Sequence, residues 1–147
     1  MRRELPLHLV DDWLDNWGRW CVGDAPAVMN VSDVGDMYEN PQRNHHEAPV
    51  ARYVLPIAIH AEPAFVVERT IRDEGFPDDG ARALFATFIA YPDAELRRYH
   101  VKPSRWDGKR AAAASLSTRD YREALHAAKC RLARVLWPYA HMLKAVA

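Results

Sequence analysis

At 147 residues the chain is long enough for one domain with a real core and too short for two independent ones. Apolar residues make up 49%, yet no run of about 18 uncharged apolar residues occurs, which excludes a helix that spans a membrane and leaves no membrane partner to expect. Lysine plus arginine and aspartate plus glutamate balance at 20 each, but Met1 to Pro92 holds 8 bases against 15 acids, whereas Asp93 to Ala147 holds 12 against 5. A basic half suggests a polyanion partner, and the acidic half is expected to face away from phosphates.

The opening MRRELPLHLVDDWLDNW meets Asp11, Asp12 and Asp15 before any apolar stretch long enough for a signal peptide, so a cytoplasmic location is expected. Cys21 and Cys130 are the only cysteines, far apart and with no CxxC, so neither a disulfide framework nor a zinc ribbon is indicated; two buried free thiols are expected.

Taken in chain order, residues 7 to 21 repeat Val10, Trp13, Leu14, Trp17, Trp20 and Cys21 at helical spacing, which predicts an amphipathic helix with an aromatic stripe. Residues 22 to 61, interrupted by Pro26, Pro41, Pro49 and Pro56, read as an irregular arm, with YVLPIAI as a short extended piece against the core. From Glu62 to Glu74 the helical period returns with Ala64, Val67 and Ile71 on one side, and Gly75 is the expected stop. DDGARALFATFIAY should be the central scaffold helix, capped by Asp78 or Asp79, with Ala81, Leu84, Phe85, Phe88 and Ile89 inward and Pro92 ending it.

DAELRRYHVKPSRW predicts a helical turn or two before Pro103. Asp107 should cap a short alanine-rich helix, and Ser117 begins the last long helix, accepting from the third amide. The inner face of that helix is Tyr121, Ala124, Leu125, Ala128, Leu132, Val135 and Leu136, and Pro138 ends or bends it. The whole is a mainly α, single small helical domain over residues 1–147. It comprises an N-terminal amphipathic helix at 1–21, the arm at 22–61 and a helical DNA-binding core at 62–147, with a helix-turn-helix at about 108–137.

A short helix, a tight turn and a longer helix with a basic outer face is the sequence form of a helix-turn-helix. Ala111 to Ala114 allow close approach, Leu116 plugs the space between the helices, and Tyr121 and Leu125 anchor the second helix. Thr118, Arg119, Arg122, His126 and Lys129 remain outside as one stripe, which is either an ordinary solvated helix face, with Asp120 and Glu123 near enough to neutralise it, or a DNA-facing surface. Position assigns base contact to Arg119 and Arg122 and phosphate contact to Thr118 and Lys129, with His126 ambiguous. Lys102, Arg105, Lys109 and Arg110 add backbone contacts, together with Arg97 and Arg98, while Tyr99 and Trp106 pin their loop to the core. This reading requires Arg119 and Arg122 to face outward and to be free of the chain's own carboxylates. Ser115 stands where such turns favour glycine.

Trp13, Trp17 and Trp20, flanked by acids, are either a core stripe or, with Arg19, a docking helix for a protein partner. Other chemistry finds no support. His60-Ala61-Glu62 matches half of a zinc deaminase signature without its PCxxC half. His45-His46-Glu47 lacks partner spacing for a metal. No phosphate-binding glycine loop, GxSxG elbow or paired catalytic carboxylates occur, so neither an enzyme nor a cofactor is expected.

LDNWGRW at residues 14 to 20 resembles the LxxWGxW signature of one group of phage Q-type late-gene antiterminators. Similarity continues through VVERTIRDEGFP and ARALFATFIAYP to RAAAASLSTRDYREALHAAKCRLARVL, which stands in place of that family's terminal helix-turn-helix. The chain departs from the pattern in a basic insertion from about Asp93 to Asp107, in the missing turn glycine, and in lacking the zinc module of some other Q proteins. The resemblance implies a fold like the fourth region of sigma factors. It also implies a DNA-bound regulator that meets bacterial RNA polymerase, with or without its sigma factor, near a late promoter and makes it terminator-resistant. Arg119 and Arg122 would then read DNA; Trp17, Arg19 and Trp20 match the signature without an assigned role. Rival readings are a plain repressor or activator and a protein-interaction module, and self-association through the acidic half stays open.

Overall fold

In the computed structural model, which describes residues 3–23 and 58–142, the apolar spacing of the N-terminal segment yields helix α1, Leu7–Val22. Gly23 closes it in the left-handed region at φ 66°, its N–H donating to the Trp20 carbonyl at 3.1 Å. Val10, Trp13, Leu14 and Trp17 are buried and form the centre of the main core with Val67, Leu84, Leu132 and Leu136. Each such side chain removed from water contributes roughly 1.5–3 kcal/mol. Trp13 and Trp17 are thus core, so at these two positions the core stripe holds and the docking helix does not: the stripe is what holds α1 to the body.

Helix α2, Ala61–Arg72, stops at Asp73 in extended backbone, two residues before Gly75. Asn16, wholly buried inside the apolar stripe of α1, donates through Nδ2 to the His60 carbonyl at 2.9 Å and accepts from the His60 N–H at 2.8 Å. This reciprocal pair fixes where α2 begins.

Helix α3, Asp78–Phe85, starts after Pro77 with Asp78 and Asp79 in its first turn rather than as cap. It continues as a π-helical turn, Ala86–Ala90, closed by Tyr91 N–H donating to the Ala86 carbonyl. A sequence period of 3.6 could not anticipate the change. The buried face of α3 is Gly80, Ala83 and Leu84, whereas Phe85, expected inward, is 52% exposed. Small residues face α6 because the two helices come close: a Cβ on Gly80 would lie 3.2 Å from that of Ala128.

Helices α4, Asp93–Arg98, α5, Trp106–Ala113, and α6, Thr118–Val135, follow, with 3-10 turns at Pro103–Arg105 and Trp137–Met142. Helix α5 begins at Trp106, with Asp107 in its first turn instead of at its cap. Helix α6 begins as expected, Ser117 Oγ accepting from Asp120 N–H at 3.1 Å. Its inner face holds Tyr121, Ala124, Ala128, Leu132 and Ala133; Val135, expected there, is 39% exposed. The Ala133 carbonyl accepts from Leu5 N–H, tying the N-terminal segment to α6.

Among the described residues the fold is all-helical with no strand, and no helix is long and apolar enough to cross a membrane. The arm expected at 22–61, with the YVLPIAI piece and His45-His46-Glu47, lies almost wholly outside the described residues.

Candidate nucleic-acid interface

The α5–α6 junction follows from four residues. After Ala114, Ser115 takes φ 57° and its N–H donates to the Ala112 carbonyl, while Leu116 N–H donates to the Ala111 carbonyl at 2.9 Å. These are the paired bonds of a Schellman stop, completed by the contact of Leu116 with the cluster that contains Ala111. Arg82 of α3 donates to the Ala114 carbonyl at 2.6 Å, bracing the turn from outside. The residue that departs from glycine therefore does sit in the glycine conformation. Ser115→Gly should stabilise the fold by about 0.5–1 kcal/mol in denaturant unfolding, because serine bears a steric cost there that glycine lacks.

Behind the turn, Tyr121 is 1% exposed. Thr87 Oγ1 donates to the Ala83 carbonyl at 2.7 Å, which uses its only proton, so the Tyr121 hydroxyl donates to Thr87 Oγ1 at 2.6 Å. Burial lifts the Tyr121 phenol above its ordinary value, against the opposing effects of Thr87 and the Arg110 charge. The long helix is thereby anchored by tyrosine, as its sequence suggested.

The outer face of α6 presents Arg119 and Arg122, whose side chains are 86% and 63% exposed, with Thr118 half-buried and His126 exposed beside Cys130 at 3.5 Å. Both arginines face outward, but neither is free. Arg119 Nε donates to Glu123 at 3.2 Å, and Arg122 Nε donates to Asp107 at 2.7 Å. The condition the sequence placed on these residues is met in orientation and not in freedom from the chain's own carboxylates.

Two other assignments need correction. Lys129, expected on phosphate, is drawn inward: its ammonium lies 2.8 Å from Asp11 and 5.7 Å from the centre of the Phe88 ring. The acidic helix α1 therefore flanks α6 instead of facing elsewhere. Arg110, expected among the backbone contacts, is instead 7% exposed, donating to the Tyr91 carbonyl at 2.8 Å and to Asp93 at 2.7 Å, so it holds α4 to α5 and is withdrawn from solvent. Lys102, Arg105 and Lys109 are exposed, with Lys109 over the Tyr91 ring at 6.0 Å. Trp106 pins its loop by donating to the Val101 carbonyl, with Arg97 and Arg110 against its ring. Tyr99 is 65% exposed and pins nothing.

Between α1 and α2, Trp17 Nε1 donates to Glu68 at 2.7 Å, Arg72 Nε to the other carboxylate oxygen at 2.6 Å, and the exposed Cys21 thiol lies 3.5 Å from Glu68. Partial burial works to raise the Glu68 carboxyl, but the hydrogen bonds from Trp17 and Arg72 outweigh it and hold it below its usual range. Desolvation first and the Glu68 charge second push Cys21 from 9.0 up to about 12, so this thiol is a poor nucleophile at neutral pH. Neither cysteine is buried, contrary to expectation. Trp20, half-buried, lines a cleft of about 670 Å³ here with Ile71, Phe85 and Ile89. Arg19 turns back to Asp15 at 3.1 Å.

Asn16, Gly18 and Thr87 escaped the reading by sequence, and Asp107 entered it only as a cap and not as the partner of Arg122. The signal in the first two was present: an amide and a glycine inside an otherwise apolar helical stripe. Among the described residues no group of three or more His, Cys, Asp or Glu could hold a metal ion. No family model, no curated protein and no solved structure matches this chain.

Proposed function

We propose that the chain is a DNA-binding transcription regulator that presents α5 and α6 to duplex DNA as a helix-turn-helix. In the finer reading, which rests on the resemblance of LDNWGRW and the terminal segment, it is a phage late-gene antiterminator that meets RNA polymerase near a promoter and makes it terminator-resistant. The observation that carries the DNA reading is the pairing of a braced, left-handed turn at Ser115 with outward arginines on the first two turns of the following helix. The pairing of both arginines with the chain's own carboxylates counts against this reading as the sequence framed it; the reading stands because exposed ion pairs contribute only about 0–1 kcal/mol, so a phosphate or a base edge can displace Glu123 or compete beside Asp107 at small cost. The half-open cleft between Trp20 and Phe85 is the surface this reading assigns to polymerase.

A second reading, a protein-interaction module, draws support from the same pairs, since Arg119, Arg122 and Lys129 each have an internal carboxylate. A gel-shift against the late promoter region of the encoding genome, run at two salt concentrations, separates the two. Arg119→Ala with Arg122→Ala should weaken binding by roughly 10- to 1,000-fold and reduce the slope of log affinity against log salt by up to about 2. Equal binding by the double variant and the wild type would leave the interaction module standing. Read-through of a terminator in purified transcription then distinguishes an antiterminator from a simple repressor or activator.

A further inference from the structure

Among the described residues, the three cation–carboxylate pairs on α6 are not alike. Arg119 and Glu123 lie one turn apart on the same helix, both largely exposed, at 3.2 Å. Lys129 is turned inward to Asp11. Arg122 and Asp107 instead join two helices across 15 residues at 2.7 Å, with the arginine 63% exposed and the aspartate 38%.

The contact uses Nε. A guanidinium is planar, and its five N–H groups point in fixed directions. A carboxylate on Nε–H therefore sets the plane and leaves the two Nη groups facing away; among the described residues neither has a hydrogen-bond partner. Paired donors of that form match the O6 and N7 acceptors of guanine in the major groove.

We infer that Asp107 is a specificity-determining residue, which orients Arg122 to read a guanine rather than neutralising it. The inference rests on the helix-turn-helix reading above. Holding the guanidinium in place before DNA arrives reduces the side-chain freedom lost on binding, which favours the one geometry that fits guanine. The Asp107 charge also repels phosphates, so the same residue weakens sequence-independent binding. Removing it should move affinity and discrimination in opposite directions, which simple charge screening would not do.

The test selects bound sequences from a pool of randomised duplexes with the wild-type protein, Asp107→Asn and Arg122→Lys. It then measures affinity for the selected duplex, for that duplex with its guanine replaced, and for a scrambled one. Wild type should prefer guanine at one position by roughly 5- to 100-fold, the range of a bidentate contact. Asp107→Asn should bind the scrambled duplex several-fold tighter while the guanine preference falls close to one. Arg122→Lys, which keeps the charge but not the fork, should retain affinity for the scrambled duplex and its salt slope and lose the preference.

If Asp107→Asn raises both affinities equally with the preference intact, Asp107 only screens charge and the inference falls. A preference that survives Arg122→Lys overturns it as well, and that arm remains decisive if circular dichroism shows Asp107→Asn misfolded. Wild type that binds duplexes without enriching any sequence also defeats it while DNA binding stands. Failure to bind any duplex defeats the helix-turn-helix reading itself.

Discussion

Gly18→Ala should cost the fold about 2–3 kcal/mol, although the position lies inside helix α1, where alanine is normally the better residue. The gain in helix propensity is about 1 kcal/mol. Against it stands the backbone of the π-helical turn: a Cβ on Gly18 would lie 2.3 Å from the Phe88 carbonyl oxygen and 3.1 Å from its carbon. No flexible side chain can swing away there, so α1 or the π turn must move. Overpacking costs roughly 1–3 kcal/mol and occasionally more; so close a contact with backbone puts this position at the top of that range or just above it, about 3–4 kcal/mol, which less the propensity gain leaves about 2–3 kcal/mol. Urea unfolding of the variant measures the balance; a variant more stable than the wild type would mean that α1 does not approach Phe88 this closely. The glycine between the two tryptophans of LDNWGRW thus has a packing reason independent of any partner.

Asn16→Leu should be of similar size, about 2–4 kcal/mol destabilising, despite placing an apolar residue among apolar neighbours. Leucine leaves the His60 N–H without a partner, which costs roughly 1–3 kcal/mol less whatever water can recover, while the His60 carbonyl keeps the Ala64 N–H at 3.3 Å; the bulkier side chain in a wholly buried site adds overpacking of about 1–3 kcal/mol. Asn16→Asp discriminates the cause, because it keeps an acceptor for the His60 N–H and loses the donor to the carbonyl. Hydrogen exchange at the His60 amide should accelerate strongly in the leucine variant. Unchanged protection together with unchanged stability would show that the amide does not fix the start of α2.

Local chemistry made much of this readable in one dimension. The apolar repeat of residues 7 to 21, the interruption by Gly75-Phe76-Pro77, the serine cap at Ser117 and the anchoring of Tyr121 are each decided within a few residues, and each reappears in the fold. Face assignments failed where the packing was closest. Spacing expects Phe85 inward and passes over Gly80 and Ala83, whereas the close approach of α3 selects these two small residues against Ala124 and Ala128 of α6, which spacing does place inward. Periodicity registers that a stripe is apolar; it does not say how near the neighbour comes.

The candidate interface divides in the same way. Its cations could be placed on one face of α6 from spacing alone, since a helix has one period. Of their partners, spacing brought only Glu123 near, one turn after Arg119; the others lay beyond its reach. Asp107 reaches Arg122 from another helix, Asp11 reaches Lys129 from the far end of the chain, and Asp93 takes Arg110 out of solvent. Sequence by itself determined the helical class, the order of the described elements and the presence of a short-turn-long helix pair, because these depend on hydrogen bonds and apolar spacing within a few turns. Tertiary structure alone decided which charges remain available to a polyanion, since burial and ion pairing arise between segments whose separation along the chain carries no trace of their contact.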